Sequence, residues 1–483
     1  MSETFDYIVV GAGSGGCPVA ARLSEDPKNK VLLLEAGPRD RNIWIHIPIG
    51  YYRNMISPLS WGYMTEPDPG IAGRSIIWPR GKVLGGTSAI NGLVYIRGQK
   101  QDYDHWRQLG NEGWAYEDVL PFFKKAENQE RGANEYHGAD GPLRVSNVRD
   151  KRAICDAFIA AAQETGIPYN ADFNGAEQEG AGPYQTTCGD GRRWSAAVGY
   201  LRPIRNRANL RIETDAMVTR IVFEGTRATG IAYCQNGQEK IARAGGEIVL
   251  AGGAINTPQL LQLSGVGPAE LLRAHGIAVR LDAPGVGRDL QDHYQARTVL
   301  ELNRPISIND DVNNLVRRAW IGIQYALFRR GPMTISAGHA GYSPEVLPES
   351  PSPPALVHFQ ARRATKLGGK LHDYSGVTAS ICQLRPESRG AVTITSPDPF
   401  MHPKITPNYL STEYDRRIMV EGLKMVRGIA RAPSLARYVK MEREPGAACV
   451  SDAELLAYAR EKGNTIFHPT STCRMGKDAR AVV

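Results

Sequence analysis

The sequence predicts an α/β protein in two parts: one domain on a parallel sheet, and an α+β domain on an antiparallel sheet with helices. Three observations lead there. An apolar run, Phe5-Asp6-Tyr7-Ile8-Val9-Val10, enters Gly11-Ala12-Gly13-Ser14-Gly15-Gly16, and a second run, Val31-Leu32-Leu33-Leu34, ends at Glu35. Strand-then-helix patterning returns at Glu247-Ile248-Val249-Leu250, followed by Ala251-Gly252-Gly253-Ala254 and a helical stretch at 257–264. Beyond a proline-rich connector at 345–354, residues 356–360, 377–384 and 391–395 read as strands of a separate sheet.

The first observation is the strand, glycine turn, helix, strand and acid of a Rossmann-like βαβ unit. Gly11 makes the tight turn, Gly13 admits a pyrophosphate to the backbone, and Gly16 lets the helix lie close to the strand. The free N–H groups of the helix N-terminus face the phosphates. Glu35, nineteen residues past Gly16, is placed to accept from ribose hydroxyls. Pro18 removes one N–H from this helix and is expected to bend it.

Between these landmarks the chain reads in order. A Pro- and Gly-punctuated stretch covers 38–80 and a second Gly-rich element covers 81–98. Residues 101–131 read as helices anchored by Trp106, Leu109, Val119, Leu120, Phe122 and Phe123, and 153–166 as another amphipathic helix. Strands are expected at 210–214, 217–223 and 230–234, with Asn236-Gly237 as a hairpin turn, and a helix at 269–275. The return of βα patterning after two hundred residues implies a nucleotide-binding domain made of separated segments.

The 483 residues suffice for two or three domains, and 42% hydrophobic with 22% charged residues is an ordinary globular composition. Net charge is +8, with arginine pairs at 192–193, 317–318, 329–330 and 362–363 but no run long enough for a nucleic-acid tail, so these read as a solvated basic surface. The seven cysteines are scattered with no CxxC, which argues against a disulfide framework and against a zinc site, and no metal is expected. Only Met1-Ser2-Glu3-Thr4 precedes the first strand, so no signal peptide is expected, and no apolar run reaches the length of a membrane span. A reducing cytoplasm is the expected home. Residues 313–333 carry Leu315, Val316, Trp320, Ile321, Ile323, Tyr325, Leu327 and Phe328 between two arginine pairs. A helix packed in the second domain or at an interface is the simpler reading, and weak contact with a membrane surface the other.

Two long segments carry a family resemblance. Residues 78–98 read Trp-Pro-Arg-Gly-Lys-Val-Leu-Gly-Gly-Thr-Ser-Ala-Ile-Asn-Gly-Leu-Val-Tyr-Ile-Arg-Gly, and residues 253–267 read Gly-Ala-Ile-Asn-Thr-Pro-Gln-Leu-Leu-Gln-Leu-Ser-Gly-Val-Gly. With the N-terminal βαβ unit and the late segment His468-Pro469-Thr470-Ser471-Thr472-Cys473-Arg474-Met475-Gly476, they resemble the glucose–methanol–choline flavoprotein oxidoreductases over nearly the whole chain. Within that family the chain is most similar to bacterial sorbose, choline and alcohol dehydrogenases, which pass electrons to quinones or dyes rather than oxygen.

The resemblance implies FAD. Gly11, Gly13, Ser14, Gly16, Glu35 and Ala36 are expected to hold its ADP half, with Val218, Ala251 and Gly252 at the adenine. Gly81, Val83, Gly86, Ser88, Asn91, Gly92 and Val94 are expected along the pyrophosphate and flavin. Trp61 is read either as a stacking partner for adenine or as a core aromatic. Some relatives attach the flavin through a histidine in this loop; here Ile90 and Asn91 stand there, so FAD is expected to be non-covalent. The implied domains are an FAD-binding domain from 1–150 and 200–300 and a substrate domain from 151–199 and 301–465. Residues 466–483 read as the start of a returning FAD-domain segment that stops short of the family's last strand and second active-site residue.

Alcohol oxidation by a flavin needs a base for the hydroxyl proton and a carbon held against flavin N5. His468, before Pro469 and inside the matching segment, is the expected base. The other histidines, including His293 in the 287–293 loop, are read as structural, and Cys473 as a buried thiol beside the catalytic loop. The activity implied is oxidation of a primary alcohol or polyol. Three alternatives stand beside it: an alcohol oxidase using oxygen, a flavin-binding fragment without catalysis, and an NAD(P)-dependent dehydrogenase.

Overall fold

The computed structural model describes residues 3–350, 352–363 and 369–483. The elements that position the site are, in chain order, β1 (Thr4–Val10), α1 (Gly16–Leu23), β2 (Val31–Leu34), α2 (Lys100–Gln108), α3 (Tyr116–Ala126), α4 (Ala153–Glu164), β3 (Gly180–Pro183), β4 (Leu210–Glu213), β5 (Ala216–Glu224), β6 (Arg227–Gln235), β7 (Gln238–Leu250), α5 (Gly253–Leu263), β8 (Tyr294–Leu302), α6 (Leu315–Phe328), β9 (Ala340–Ser343), β10 (Ala355–Gln360), β11 (Gly376–Gln383), α7 (Glu413–Arg431), β12 (Val439–Glu444) and β13 (Asn464–Thr465).

One sheet runs β4-β2-β1-β7-β6-β5. Its first four strands are parallel, and β6 and β5 extend it as an antiparallel meander. All of β2 is buried, as a strand covered on both faces requires, which is why its sequence is a continuous apolar run. β7 is longer than the short strand read at 247–250, beginning directly after the hairpin turn. Its first half closes a hairpin with β6 through Asn236 and Gly237, both at positive φ, and its second half lies parallel to β1. Gly245 and Gly246 look like a turn but lie within the strand, at a shift of register between Phe5 and Tyr7 on β1. Pro18 falls in the first turn of α1, where its N–H would have no partner within the helix, so no hydrogen bond is lost there.

The second sheet runs β12-β8-β11-β10-β9-β3, with β13 also paired to β8, and every pairing in it is antiparallel. β8 crosses position 300 yet lies wholly in this sheet. Alternation along its central strands separates two faces. Ala296 and Leu300 of β8, Val377, Ala379 and Ile381 of β11, and Val357 and Phe359 of β10 share a buried cluster with Phe158 of α4 and Ile418, Leu423 and Val426 of α7. Phe158 and Phe359 stack with centroids 4.3 Å apart. The opposite face carries Gln295 and Arg297, Thr378, and Leu356, His358 and Gln360, and lines a large cavity. The sheet is thus core on one side and functional wall on the other.

Two helical expectations change. α2 and α3 form where predicted, but neither buries a residue, and Trp106, Leu109 and Phe122 are exposed. Their aromatic side chains instead meet one another, as Trp106 of α2 does Tyr103 and Trp114 of the following loop, and α2 lines the cavity. α6 lies on the surface: of its apolar residues only Tyr325 is buried, while Leu315, Val316, Trp320, Leu327 and Phe328 are exposed. The expectation of a helix packed within the second domain therefore does not hold. No helix among the described residues is long and apolar enough to cross a membrane.

The stacked phenyl pair sets a direct check on the second core. Phe359→Ala is expected to remove about 3–5 kcal/mol, read as a lowered midpoint of thermal unfolding.

Candidate active site

The glycine turn builds a narrow cleft of about 310 Å³ at the ends of β1, β2 and β7. It is lined by Gly11, Gly13, Ser14, Glu35, Ala36, Trp61, Gly81, Gly86, Val218, Ala251 and Gly252. Backbone meets backbone here. A Cβ on Gly16 would stand 1.8 Å from the Gly11 carbonyl oxygen, and one on Gly86, at φ 54°, would stand 2.6 Å from Gly13 Cα. The cleft side of the turn is open: a Cβ on Gly13 would find nothing closer than 3.9 Å, and one on Gly15 nothing within 4 Å. Glu35 is buried and accepts from the N–H groups of Ala12 (3.0 Å) and Gly37 (2.9 Å). Burial outweighs both bonds and raises its pKa to about 7.

Trp61 stacks on Tyr63 at 5.8 Å, with the Lys82 ammonium 4.7 Å from its ring centroid, while its edge faces the cleft. Three expected residues line neither the cleft nor the cavity. Gly16 serves the helix–strand contact, Val83 packs with Ile45, Ala89 and Ile90, and Ser88 Oγ donates to the Gly85 carbonyl and accepts from Ala196 N–H. They brace the glycine elements from behind.

A much larger cavity, about 1500 Å³, lies between the second glycine element and the polar face of the antiparallel sheet. Asn91, Gly92 and Val94 line it, as do Phe467, His468 and Thr470; Pro469, between the last two, lines the cleft. The His468 segment is therefore where cleft and cavity meet. Phe467 (φ 69°) and Ser471 (φ 75°) hold left-handed conformations that non-glycine residues adopt only when their surroundings enforce them. Here Arg80 donates to the Phe467 carbonyl, Phe467 N–H donates to Thr465 Oγ1 (2.6 Å), and His468 N–H donates to Asp292 Oδ1 (2.7 Å). Asp292 is buried and also accepts from the hydroxyls of Thr465 and Tyr409; burial raises its pKa to about 6.

The hydrogen bonds assign the protons on the two rings. His293 Nε2 lies 2.9 Å from the Leu384 carbonyl, which can only accept, so Nε2 carries the proton. His293 Nδ1 then holds a lone pair, and His468 Nδ1, 3.2 Å away, must donate to it. That leaves His468 Nε2 with a lone pair and no protein partner among the described residues. The ring is exposed to the cavity, and desolvation by the surrounding protein lowers its pKa well below the ordinary histidine value, helped by His293, Arg80 and His358. Burial likewise lowers His293 to about 4. Both rings are neutral at neutral pH.

This geometry is shared with known proteins. The description "GMC oxidoreductase" matches residues 5–295, and its C-terminal counterpart matches 386–483. The alcohol dehydrogenase [acceptor] of Pseudomonas putida is 43% identical over 486 residues, covering 99% of this chain and 88% of that protein. Mitochondrial choline dehydrogenase of Homo sapiens is 41% identical over 491 residues, covering all of this chain and 82% of that one. Among solved structures, pyridoxine 4-oxidase from Mesorbium loti superposes with a TM-score of 0.90 at 30% identity, covering 99% of this chain and 90% of its own. This chain belongs to the GMC oxidoreductase family. It is an FAD-dependent oxidoreductase that acts on alcohols.

For a GMC oxidoreductase the cleft has the right form: a glycine turn open on the side where a pyrophosphate passes, an acid at the end of β2, and a second glycine element leading into the cavity. The structure also corrects the reading of the other functional side chains. His293 and His358, expected to be structural, both line the cavity with His468. Tyr184 OH lies 2.9 Å from His358 Nδ1, and burial lowers His358 to about 4. Cys473 is half-buried and lines the cavity rather than being closed off, its pKa pushed up to about 12 by burial. Two arginine pairs expected on a solvated surface are partly inside. Arg193 is buried and donates to Asn91 Oδ1 (2.7 Å) and to backbone carbonyls of the second glycine element, and Arg362 and Arg363 are buried beside the cavity. The one signal for His293 was its place directly after Asp292, whose carboxylate anchors the His468 backbone.

Gly86→Ala tests the contact between the two glycine elements. A methyl group that close to Gly13 Cα is expected to weaken FAD retention at least tenfold, read as the ratio of flavin to protein absorbance after gel filtration.

Proposed function

We propose that this GMC oxidoreductase oxidises a primary alcohol or polyol of the alkanol, sorbose or choline type, and passes the electrons to a quinone or another non-oxygen acceptor. In this reading Gly11, Gly13, Ser14, Glu35, Ala36, Val218, Ala251 and Gly252, with Trp61 at the wall, hold the ADP half of a non-covalent FAD, and Gly16 acts behind the turn by letting the helix approach the strand. Gly81 and Gly86 carry the second glycine element past the cleft, Asn91, Gly92 and Val94 place the ring at the cavity, and Val83 and Ser88 brace that element from behind. The bound flavin supplies the hydride acceptor.

His468 is the base. The observation that carries this role is the directed pair of hydrogen bonds, His468 Nδ1–H to His293 Nδ1 and His293 Nε2–H to the Leu384 carbonyl, which leaves the Nε2 lone pair toward the cavity. An alcohol hydroxyl donates to that lone pair, and as its proton moves to Nε2 the oxygen gains the charge that drives the carbon to release hydride. Asp292 acts through the backbone: it holds His468 N–H while Arg80 and Thr465 hold Phe467, so the ring cannot swing away as charge develops.

Replacing His468 with Ala is expected to lower kcat by about 10²–10⁴-fold while the protein keeps its flavin spectrum, measured by anaerobic dye reduction. Protonation removes the Nε2 lone pair, so kcat/KM rises with pH through the His468 pKa and is flat above it. Because burial holds that pKa well below 6.5, the acid limb of the profile is expected below pH 6.5. Oxygen consumption measured beside dye reduction tests the acceptor; fast turnover on oxygen alone would replace the dehydrogenase reading with an oxidase.

An acceptor dissolved in a membrane fits the surface of α6, where exposed Leu315, Val316, Trp320, Leu327 and Phe328 adjoin exposed Arg317, Arg318 and Arg330. Co-sedimentation with anionic lipid vesicles, weakened by Trp320→Glu, is the expected behaviour; no binding to such vesicles would remove this face as a membrane contact.

A further inference from the structure

The wall of the large cavity is not electrically neutral. His293 stands at the head of β8, and Gln295 and Arg297 follow on the same face of the strand. Arg297 lies about 13 Å along the strand from His293, opposite Ser380 of β11, which in turn pairs with His358 of β10. Its guanidinium opens to the cavity and makes no hydrogen bond or ion pair among the described residues. Two more arginines line the same end. Arg362 is 8% exposed; it donates to the Tyr51 hydroxyl and lies over the rings of Tyr51 and Tyr52, at 5.5 and 4.9 Å, but meets no carboxylate among the described residues. Arg363 is 9% exposed; its Nη2 donates to Glu444 Oε1 at 2.7 Å while its Nε is buried without a partner. Tyr458, another titratable group near Arg297, donates its hydroxyl to the Arg297 carbonyl at 2.5 Å.

Among the described residues, these three guanidiniums thus share one carboxylate. Burial and the mutual repulsion of the three lower the Arg297 pKa from its ordinary value, although a guanidinium stays charged at neutral pH. Uncompensated buried charge is costly, and a guanidinium fork matches the two oxygens of a carboxylate or phosphate. A hydrophobic tail would leave the Arg297 guanidinium and Arg363 Nε unpaired, and a trimethylammonium group would be repelled, so this wall disfavours the alkanol and choline types within the range proposed above.

We propose that the substrate is an alcohol that carries an oxyanion, a carboxylate or a phosphate ester, several bonds from its hydroxyl, and that Arg297 and Arg362 hold that group with Arg363 beside them while the hydroxyl lies at His468. The proposal rests on the reading of this cavity as the alcohol-oxidation site. The strand geometry sets its length scale: Arg297 lies four residues along β8 from His293, whose ring contacts the base His468, so medium-length ω-hydroxy acids fit and glycolate-sized ones do not span the gap.

The test uses the FAD-loaded enzyme and two independent readouts. The first is binding without turnover: straight-chain dicarboxylates of increasing length are titrated against the flavin visible spectrum, beside the matching diamides. The dicarboxylates are expected to bind at least tenfold more tightly, with a length optimum, and Arg297→Gln to remove most of that preference while Arg297→Lys keeps part of it. The second is dye reduction with ω-hydroxy carboxylates, ω-hydroxyalkyl phosphates, the neutral ω-hydroxy amides and choline. Either anionic series is expected to exceed the amides at least tenfold in kcat/KM, carried mainly by KM, and the better one identifies the anion. Dicarboxylates that bind no better than diamides, or a preference unmoved by Arg297→Gln, overturn the anion site. If the dicarboxylates bind as expected but no alcohol is oxidised, the anion site stands and the alcohol-oxidation reading fails.

Discussion

The floor of the nucleotide cleft is a place where three stretches of backbone touch without side chains between them. The turn after β1, the loop at 81–86 and the end of β7 approach so closely that a single Cβ on Gly11, Gly16, Gly81 or Gly86 would fall within 3 Å of a main-chain atom of its neighbour. These contacts do two things. They leave the main-chain donors of the turn facing the cleft, and they pin the second glycine element to the first. The Asn91 segment then leads from the cleft into the cavity, with Arg193 clamped behind it. In the proposed function, that joint is what sets a flavin against the antiparallel sheet.

The catalytic end is organised by the opposite strategy, polar groups in a setting of low polarity. Asp292 is buried and holds three hydrogen bonds, one to the His468 backbone. Neither His468 nor His293 carries charge at neutral pH, because burial penalises the imidazolium. A neutral pair with one fixed donor direction presents a lone pair at a defined atom, whereas a charged pair would present only donors. Left-handed conformations at Phe467 and Ser471 show how firmly the segment is held.

The antiparallel sheet links the two ends. Its helix-packed face makes it a rigid wall, and its polar face carries, from one end to the other, His293, Gln295 and Arg297. The two relatives described above are named dehydrogenases and the solved neighbour is named an oxidase, so the shared fold carries flavin-dependent oxidation without dictating the acceptor. Differences in substrate among such proteins can be written on this one face, since each strand presents every second residue to the cavity without disturbing the core behind it.

The sequence by itself determined the nucleotide half of the protein. The glycine turn, Glu35, the second glycine element and the Ala251-Gly252 turn are contiguous motifs whose spacing encodes their geometry, and in the structure they line one cleft with Trp61. His468 was singled out from the segment around it, and the structure places that segment where cleft and cavity meet. Gln295, Arg297, His358 and Arg362 were not, because nothing local marks which face of a strand will meet a cavity until the neighbouring strands and helices are in place. The arginine pair at 362–363 looked like solvated surface, and the exposed apolar stripe of α6 looked like core, for one reason: charge and hydropathy patterns report what a residue prefers, not what covers it. The partnership of His293 with His468 joins residues 175 positions apart through a single 3.2 Å contact, and only the folded chain brings those two rings together.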